Sequence, residues 1–377
     1  MRAHLLLAAT IFAMTVVPAL SQPLDNVESR LFKTKDFKLT GGTVLPELVL
    51  AYETYGRLAP DGRNVVLLTH GYTSSHHAAG RYGATGAPLG LKAGDVGSWD
   101  KLIGPGKAID TDKLYVVSSN MLGSSYGSTS PRSTNPATGK PYGPDFPRIV
   151  VADIVNAQKA MLDQLGVKHL VAVVGGSYGG FQAFQWAVSY PDHMDGVVPV
   201  ITAPSSTTTP KATQKLAERL AKDPNWNGGW YYDKGGITQA MAALRVETLK
   251  NYGIEAQLRP KHPAPKDLEA AIQKAAEPWV QAFDGHSLIV LRRALENFDT
   301  TRDFGKIKAR MLYVISRTDK LFPPSIVPDV MAKLKAAGVD ARYFEIDSEL
   351  GHMAPGPDAE KWSPALKAFM AGLMPKT

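Results

Sequence analysis

Short runs of Val, Ile and Leu alternate with amphipathic helical patterns along most of this chain, and this alternation constrains the fold more than any other feature. The apolar runs predict strands at 64–70, 114–120, 170–176, 196–202, 310–316 and 341–346. Helical patterns occupy 148–166, 178–191, 325–338 and 359–373. Continuous apolar strands separated by helices predict an α/β fold, in which a mostly parallel, doubly wound sheet is covered on both faces.

The alternation stops between residues 204 and 303. This stretch opens with the loop-forming sequence PSSTTTP and continues as helical patterns without a strand between them. We therefore expect a helical cap, 204–303, inserted into a core formed by 22–203 and 304–377. Near the N-terminus, 43–56 predicts a pair of antiparallel strands at one edge of the sheet.

The first 21 residues have the pattern of a secretory signal peptide. A charged start precedes an apolar stretch over 5–17, and Ala19 and Ser21 place small residues before a cleavage site. This stretch is short for a membrane span, and no later one is long and apolar enough to be a span. The sequence predicts a periplasmic or secreted protein that starts near Gln22 and has no membrane span after cleavage.

Composition narrows the chemistry. The 377 residues include no cysteine, which excludes disulfides, thiolate metal sites and a cysteine nucleophile. The net charge of +7 comes from scattered Lys and Arg residues, so no nucleic-acid partner is expected. No phosphate loop, dinucleotide fingerprint or metal-ligand spacing occurs, and His76 and His77 would point apart in an extended segment. We expect a small-molecule substrate and no metal or cofactor, and the sequence leaves open whether the chain forms a homodimer.

Residues 175–179 read Gly-Gly-Ser-Tyr-Gly and lie between a predicted strand and a predicted helix. In this context the G-x-S-x-G pattern predicts a nucleophile elbow that exposes Ser177 above the sheet. A serine nucleophile needs a base and a third group that orients the base. Asp319 and His352 follow the last two predicted strands, at the ligand edge of such a sheet and in the expected order. Asp347 is the competing carboxylate.

Acyl transfer also needs N–H donors for the developing oxyanion. The backbone of Tyr178, directly after the nucleophile, is one candidate. The loop His70-Gly71-Tyr72 after the early strand offers the other, the N–H of Tyr72. Candidates for the substrate pocket come from the same loop and from the cap: Thr73, Trp226, Trp230 and Met241.

With these motifs the chain resembles the homoserine O-acetyltransferase family of α/β-hydrolase-fold proteins. The resemblance lies in 98–147, 173–192 and 222–232 and in the loops after the last two strands. It implies an α/β-hydrolase fold, a cap of helices over the site and a catalytic triad that maps onto Ser177, Asp319 and His352.

Three departures from this family bear on the substrate. The loop at 70–74 reads His-Gly-Tyr-Thr-Ser, where the family usually has H-A-L-T-G. In the cap helix, Met241 and Thr248 align with the Arg and Tyr that hold the amino acid in the family, while Arg245 lies one turn further on. Acetyl-CoA is a cytoplasmic donor, whereas this chain carries a predicted export signal.

These departures favour an exported serine hydrolase that cleaves a carboxylic ester through a Ser-His-Asp triad and an acyl-enzyme. Two alternatives stay open at this point. One is an O-acyltransferase of the homoserine O-acetyltransferase type, in which an acyl-CoA is the donor and an alcohol replaces water. The other is a non-catalytic binding protein on a hydrolase scaffold.

Overall fold

The computed structural model describes residues 24–83 and 91–374. Its strands are β1 (Arg30–Lys38), β2 (Val44–Tyr55), β3 (Val65–Thr69), β4 (Ile103–Gly104), β5 (Ile109–Asp110), β6 (Tyr115–Ser119), β7 (Leu170–Gly176), β8 (Met194–Val200), β9 (Arg310–Ser316) and β10 (Ala341–Ile346). Eight of these strands form one sheet in the order β1-β2-β6-β3-β7-β8-β9-β10. The pairs from β6 to β10 are parallel, which confirms the predicted fold class.

The antiparallel edge differs in detail from the prediction. Residues 43–56 form one strand, β2, and not a pair; β2 runs antiparallel to β1 on one side and to β6 on the other. The chain reverses before β2, where the N–H of Leu39 donates to Thr43 and the N–H of Gly42 donates back to Leu39. Because this turn precedes 44–55, the whole apolar run is available for a single strand.

Nine α-helices occur in the described ranges: α1 (Val151–Gln164), α2 (Tyr178–Ser189), α3 (Pro210–Leu220), α4 (Thr238–Tyr252), α5 (Ile254–Leu258), α6 (Pro265–Ala282), α7 (Gly285–Ala294), α8 (Val327–Ala336) and α9 (Ser363–Leu373). The sheet separates two apolar clusters. Leu67 packs on the face of α1 and α2, while its neighbours Val66 and Leu68 pack on the face of α9. Strand residues alternate between faces, so a fully apolar strand serves both clusters.

Helices α3 to α7 lie between β8 and β9, in the stretch predicted as a cap. A small apolar cluster joins α4 to α6 through residues such as Leu249 and Ile272. Helix α7 is almost wholly buried, and its Leu288 and Leu291 belong to the main core. The cap is therefore fixed to the core through α7. No helix in the described parts of the chain is long and apolar enough to span a membrane.

Candidate active site

The sharp turn between β7 and α2 holds Ser177 in a backbone conformation that side chains rarely adopt. Its φ of 57° and ψ of −117° lie outside the helix and strand regions, a strain typical of nucleophile elbows. The flanking glycines permit this turn. A Cβ on Gly175 would lie 2.2 Å from the carbonyl oxygen of Gly179, and a Cβ on Gly179 would lie 2.2 Å from that of Thr69. The serine hydroxyl is thus presented at the carboxyl end of β7.

Ser177, His352 and Asp319 form one chain of hydrogen bonds. Ser177 Oγ donates to His352 Nε2 at 2.8 Å, and His352 Nδ1 donates to Asp319 Oδ2 at 2.8 Å. Because Nδ1 carries the proton, Nε2 offers the lone pair that accepts the serine proton. His352 is 6% exposed and Asp319 is 2% exposed. This arrangement is suited to general-base activation of a serine nucleophile.

Asp319 is fixed by the backbone that follows it. Its Oδ1 accepts hydrogen bonds from the N–H groups of Leu321 at 2.8 Å and Phe322 at 3.2 Å, which leaves Oδ2 for the imidazole. Asp347, the competing carboxylate, is exposed and pairs with Arg317 at 2.7 Å. The structure thus brings Asp319, and not Asp347, to the histidine.

Tyr72 and Tyr178, the predicted oxyanion donors, both lie beside the nucleophile and line a cavity with Ser177. The N–H of Tyr178 belongs to the first turn of α2 and has no acceptor within that helix. A Cβ on Gly71 would lie 3.6 Å from Ser177 Cβ, so the next N–H along the chain, that of Tyr72, is close to Ser177. Both tyrosine hydroxyls donate to backbone carbonyls of α7. With the side chains anchored there, the backbone N–H groups are available for a substrate oxygen.

A cavity of about 270 Å³ lies between Ser177 and the cap. We call it the Arg245 cavity, and its lining includes Tyr72, Thr73, Ser177, Arg245, Tyr252 and His352. The loop after β3 and helix α4 form part of its wall, and α6 packs behind Thr73. Arg245 Nη1 donates to Thr73 Oγ1 at 2.9 Å, and Trp279 Nε1 donates to the carbonyl of Thr73 at 3.0 Å.

The Arg245 guanidinium is a largely buried cation, and no acidic side chain in the described parts of the chain pairs with it. Its Nε is buried and has no hydrogen-bond partner in the described residues. Its carbon atom Cζ lies 4.9 Å from the centre of the Trp279 ring, a cation–π contact. Burial lowers the pKa of Arg245, and the neighbours that oppose this shift are the phenols of Tyr252 and Tyr126. A bound carboxylate would supply the missing partner.

Three of the four predicted pocket residues lie away from this cavity. Met241 is 2% exposed and packs in the main core. Trp226 packs against a tyrosine and a histidine ring of the cap, and Trp230 lies at the surface with 39% of its area exposed. Their assignment to the pocket is corrected accordingly, whereas Thr73 does line the cavity.

The functional face of α4 lies one turn further along than the sequence alignment indicated. The alignment placed Met241 and Thr248 where the resembled family has Arg and Tyr. The structure brings Arg245 and Tyr252, at the same spacing, to the cavity. Thr248 instead donates its hydroxyl to the carbonyl of Leu244 in its own helix, at 2.8 Å. The guanidinium that is missing at Met241 is thus supplied by Arg245, the residue that the sequence places one turn further on.

Sequence reasoning missed a buried polar cluster behind the loop after β3. Glu53 is 0% exposed and accepts hydrogen bonds from the hydroxyls of Tyr55 and Tyr82 and from His77 Nδ1. His77 Nε2 lies 2.9 Å from the carbonyl oxygen of Asp95. Both ring nitrogens of His77 face acceptors, an arrangement that favours the protonated imidazolium beside Glu53. Glu53, which directly follows the apolar run 48–52 of β2, was the available signal.

This cluster also holds the loop backbone. The Tyr55 hydroxyl accepts hydrogen bonds from the N–H groups of Ala78 and Ala79, each at 3.1 Å. His76 Nε2 lies 3.8 Å from Glu53 Oε1, so His76 and His77 both face Glu53; the expectation that they point apart is wrong because this loop is not extended. Burial lowers the pKa of His76 to about 4. Within the described ranges, no group of His, Asp and Glu is placed to hold a metal ion.

Comparison with known proteins adds family information to this geometry. Residues 64–356 match the family model for the alpha/beta hydrolase fold. The homoserine O-acetyltransferase of Rhodospirillum rubrum is 33% identical over 383 residues, which span 95% of this chain and 96% of that protein. Among solved structures, esterase E22 has a TM-score of 0.82 at 31% identity and covers 91% of this chain and 100% of its own. The homoserine O-acetyltransferase of Bacillus anthracis has a TM-score of 0.81 at 28% identity, with coverages of 92% and 98%.

These relatives correct the expected activity. The prediction of a carboxylic-ester hydrolase is wrong, because sequence relatives such as that of Rhodospirillum rubrum, which match almost the whole chain, are homoserine O-acetyltransferases. They support the alternative from the sequence, acyl transfer to an alcohol. The predicted signal peptide, 1–21, lies outside the described residues, so the cellular location stays a prediction.

Proposed function

This chain belongs to the homoserine O-acetyltransferase family of the α/β-hydrolase superfamily, and we propose that it is an O-acyltransferase that moves an acyl group from an acyl-CoA to the hydroxyl of homoserine or a close analogue. The observation that carries this proposal is the placement of Arg245. Its buried guanidinium lines the same cavity as Ser177 and His352. Water needs no such cation, whereas an amino-acid acceptor brings a carboxylate that a guanidinium binds through two parallel hydrogen bonds.

The first half-reaction acylates the enzyme. His352 Nε2 takes the proton of Ser177 Oγ as this oxygen attacks the thioester carbonyl, and the N–H groups of Tyr72 and Tyr178 bind the oxyanion. The C–S bond then breaks, His352 gives its proton to the sulfur, and CoA leaves as the free thiol. An ester of Ser177 remains.

The second half-reaction uses the acceptor. With its carboxylate on Arg245, the amino acid directs its hydroxyl toward the acyl-enzyme, where His352 accepts the hydroxyl proton. The acceptor oxygen forms a bond to the acyl carbon, the bond to Ser177 Oγ breaks, and His352 returns the proton to the serine. Holding the acceptor at this position gives it a large advantage in effective concentration over water.

The test is homoserine-dependent release of CoA by the purified protein. The chain contains no cysteine, so a thiol reagent reports free CoA without background from the protein. Acetyl-CoA and longer acyl-CoA donors are assayed with and without L-homoserine, and the O-acyl product is identified by mass spectrometry. The proposal predicts CoA release that requires homoserine; equal release without it would overturn the proposal.

Arg245→Gln separates the acceptor step from the acylation step. Loss of one partner of a buried charge pair is expected to raise KM for homoserine at least about 30-fold. Acylation of Ser177 by p-nitrophenyl acetate needs no carboxylate and stays near the wild-type rate. Arg219→Gln is the matched control, because Arg219 pairs with Glu247 at 2.6 Å on the cap surface. An unchanged KM in Arg245→Gln would contradict the assigned role.

A further inference from the structure

Ser177 borders a second cavity that the proposed function leaves unused. This cavity has a volume of about 330 Å³ and lies on the other side of Tyr72 and Tyr252, which line both spaces. We call it the Phe181 cavity. Its apolar walls come from α2, the end of α7 and the segment after β9: Tyr178, Phe181, Leu295, Leu321, Phe322 and Ile326.

Stereochemistry divides the two cavities between the parts of the substrate. In the tetrahedral intermediate the reacting carbon bears Ser177 Oγ, the oxyanion, the entering or leaving group and the acyl chain. The oxyanion faces the N–H groups of Tyr72 and Tyr178. The entering or leaving atom must lie within reach of His352, which exchanges a proton with it. His352 lines the Arg245 cavity, and among the described residues it is not part of the Phe181 lining. The fourth substituent, the acyl chain, is left to point into the Phe181 cavity.

We propose that the Phe181 cavity is the acyl-binding site and that it takes an apolar acyl chain longer than acetyl. This inference rests on the proposed function for the identity of the acceptor, but the acylation step itself needs only Ser177. A methyl group occupies about as much space as a water molecule in the liquid, about 30 Å³. A cavity of about 330 Å³ therefore leaves most of its volume empty behind an acetyl group.

The wall next to the nucleophile fits an apolar chain. The Phe181 ring lies 6.1 Å from Tyr178, 5.3 Å from Phe298 and 5.8 Å from Phe322, centre to centre, all in edge-on arrangements. Such a packed aromatic wall has no side-chain donor or acceptor to offer a polar chain at this depth apart from the Tyr178 hydroxyl, which already donates to α7.

The remaining lining is polar and defines the competing chemistry. Hydroxyl side chains of 205–208 and the guanidinium of Arg292 also border this cavity. The Nε of Arg292 is buried and has no partner in the described ranges. An acyl chain that ends in a carboxylate would use this cation, so the experiment must include one.

The experiment measures acylation of the full chain by p-nitrophenyl esters in a stopped-flow burst without acceptor. Ser177 Oγ bonds to the acyl carbon while the bond to p-nitrophenolate breaks, and His352 receives the serine proton. Acetyl, butanoyl, hexanoyl and succinyl esters are compared. Each methylene buried in the cavity is expected to favour acylation by up to about fourfold, so the hexanoyl ester should react at least about tenfold faster than the acetyl ester.

Ile326→Trp fills the cavity and Val96→Trp, at a residue 49% exposed, is the matched control. In Ile326→Trp the advantage of the hexanoyl ester over the acetyl ester is lost. In Val96→Trp the profile is unchanged. A wild-type rate that is flat or falls with chain length, or a profile unaffected by Ile326→Trp, would overturn the proposal.

A preference for the succinyl ester that disappears in Arg292→Gln would overturn the apolar assignment. Transfer of the bound acyl group to homoserine is measured separately. If the acyl group is not transferred to homoserine but the chain-length profile is as predicted, the proposed function is refuted and the assignment of the acyl-binding site is not.

Discussion

Replacing Glu53 by glutamine removes a negative charge from the buried cluster behind the loop after β3 while nearly keeping the shape of the side chain. The two carboxylate oxygens accept hydrogen bonds from Tyr55, Tyr82 and His77. The amide has one accepting oxygen, so at least one of these three donors then faces an NH₂ group.

The expected cost follows from two terms that overlap. A buried donor without an acceptor costs about 1–3 kcal/mol, and removal of one partner of a buried ion pair costs about 3–5 kcal/mol. Because the His77 donor belongs to both terms, they are not added. We expect the free energy of unfolding to fall by about 4 kcal/mol in Glu53→Gln.

Urea denaturation followed by tryptophan fluorescence measures this change, provided that the slope with urea stays constant. Asp347→Asn is the control, since this carboxylate is exposed and its loss should leave the midpoint unchanged. The double variant Glu53→Gln/His77→Gln should cost much less than the sum of the two single variants. A loss of unfolding free energy below about 0.5 kcal/mol in Glu53→Gln would refute a buried ion pair, because surface substitutions without such a pair cost no more than this. Additive effects of the two single variants would refute it as well, because additivity is the behaviour of independent sites.

The same pair predicts a pH dependence. Burial by itself lowers the pKa of His77, but the hydrogen bond and charge of Glu53 and the carbonyl of Asp95 outweigh it and raise the pKa. The stabilisation of the folded state by this pair is therefore fully present below the unfolded pKa of about 6.5, and it is lost as pH rises through the raised pKa of the folded state. The facing groups are Glu53, Tyr55, Tyr82, His76 and Asp95. Stability should fall at alkaline pH in the wild type and less steeply in Glu53→Gln; parallel pH curves would contradict this assignment.

Three further predictions concern separate parts of the chain. His76 is buried with a pKa of about 4, so stability should fall by up to about 3 kcal/mol as pH drops from 6.5 to 4; His76→Gln should remove this loss in urea titrations, and an unchanged loss would rule His76 out as its source. Asp319→Asn should lower kcat by about 10⁴ by supporting the wrong imidazole tautomer, measured as the acylation rate; a loss below tenfold would argue against the orienting role. If 1–21 is a signal peptide, mass spectrometry of the exported protein will show a chain that starts at Gln22, whereas an intact Met1 on cytoplasmic protein would refute the export prediction.

The strands and the triad were accessible from sequence for a physical reason. Parallel strands buried on both faces, such as β7 and β9, appear as continuous apolar runs. Such a run can be recognised from a few consecutive residues, without knowledge of the tertiary contacts. The order of Ser177, Asp319 and His352 follows from the fold, since each residue ends or follows a strand at the same edge of the sheet.

The face of α4 that lines the cavity could not be predicted from sequence in the same way. In α4 a residue one turn further along lies on nearly the same face, so periodicity does not distinguish Met241 from Arg245. Only the packing of α4 on α6 and on Thr73 decides which of them reaches the cavity. Glu53 likewise meets His77 through a long-range contact that no local pattern encodes.

The central claim is that an acyl group on Ser177 passes to an amino acid held by Arg245. A single-turnover experiment tests it most directly: the acyl-enzyme is formed with hexanoyl-CoA, freed of excess donor and mixed with buffer or with L-homoserine, and its mass is followed in time. The account predicts an added hexanoyl group on the peptide that contains Ser177. In the wild type, homoserine should discharge this group much faster than buffer does and yield the O-acyl amino acid. In Arg245→Gln the same acyl-enzyme should form, but homoserine should not accelerate its decay. Decay of the wild-type acyl-enzyme at one rate with and without homoserine would contradict the account.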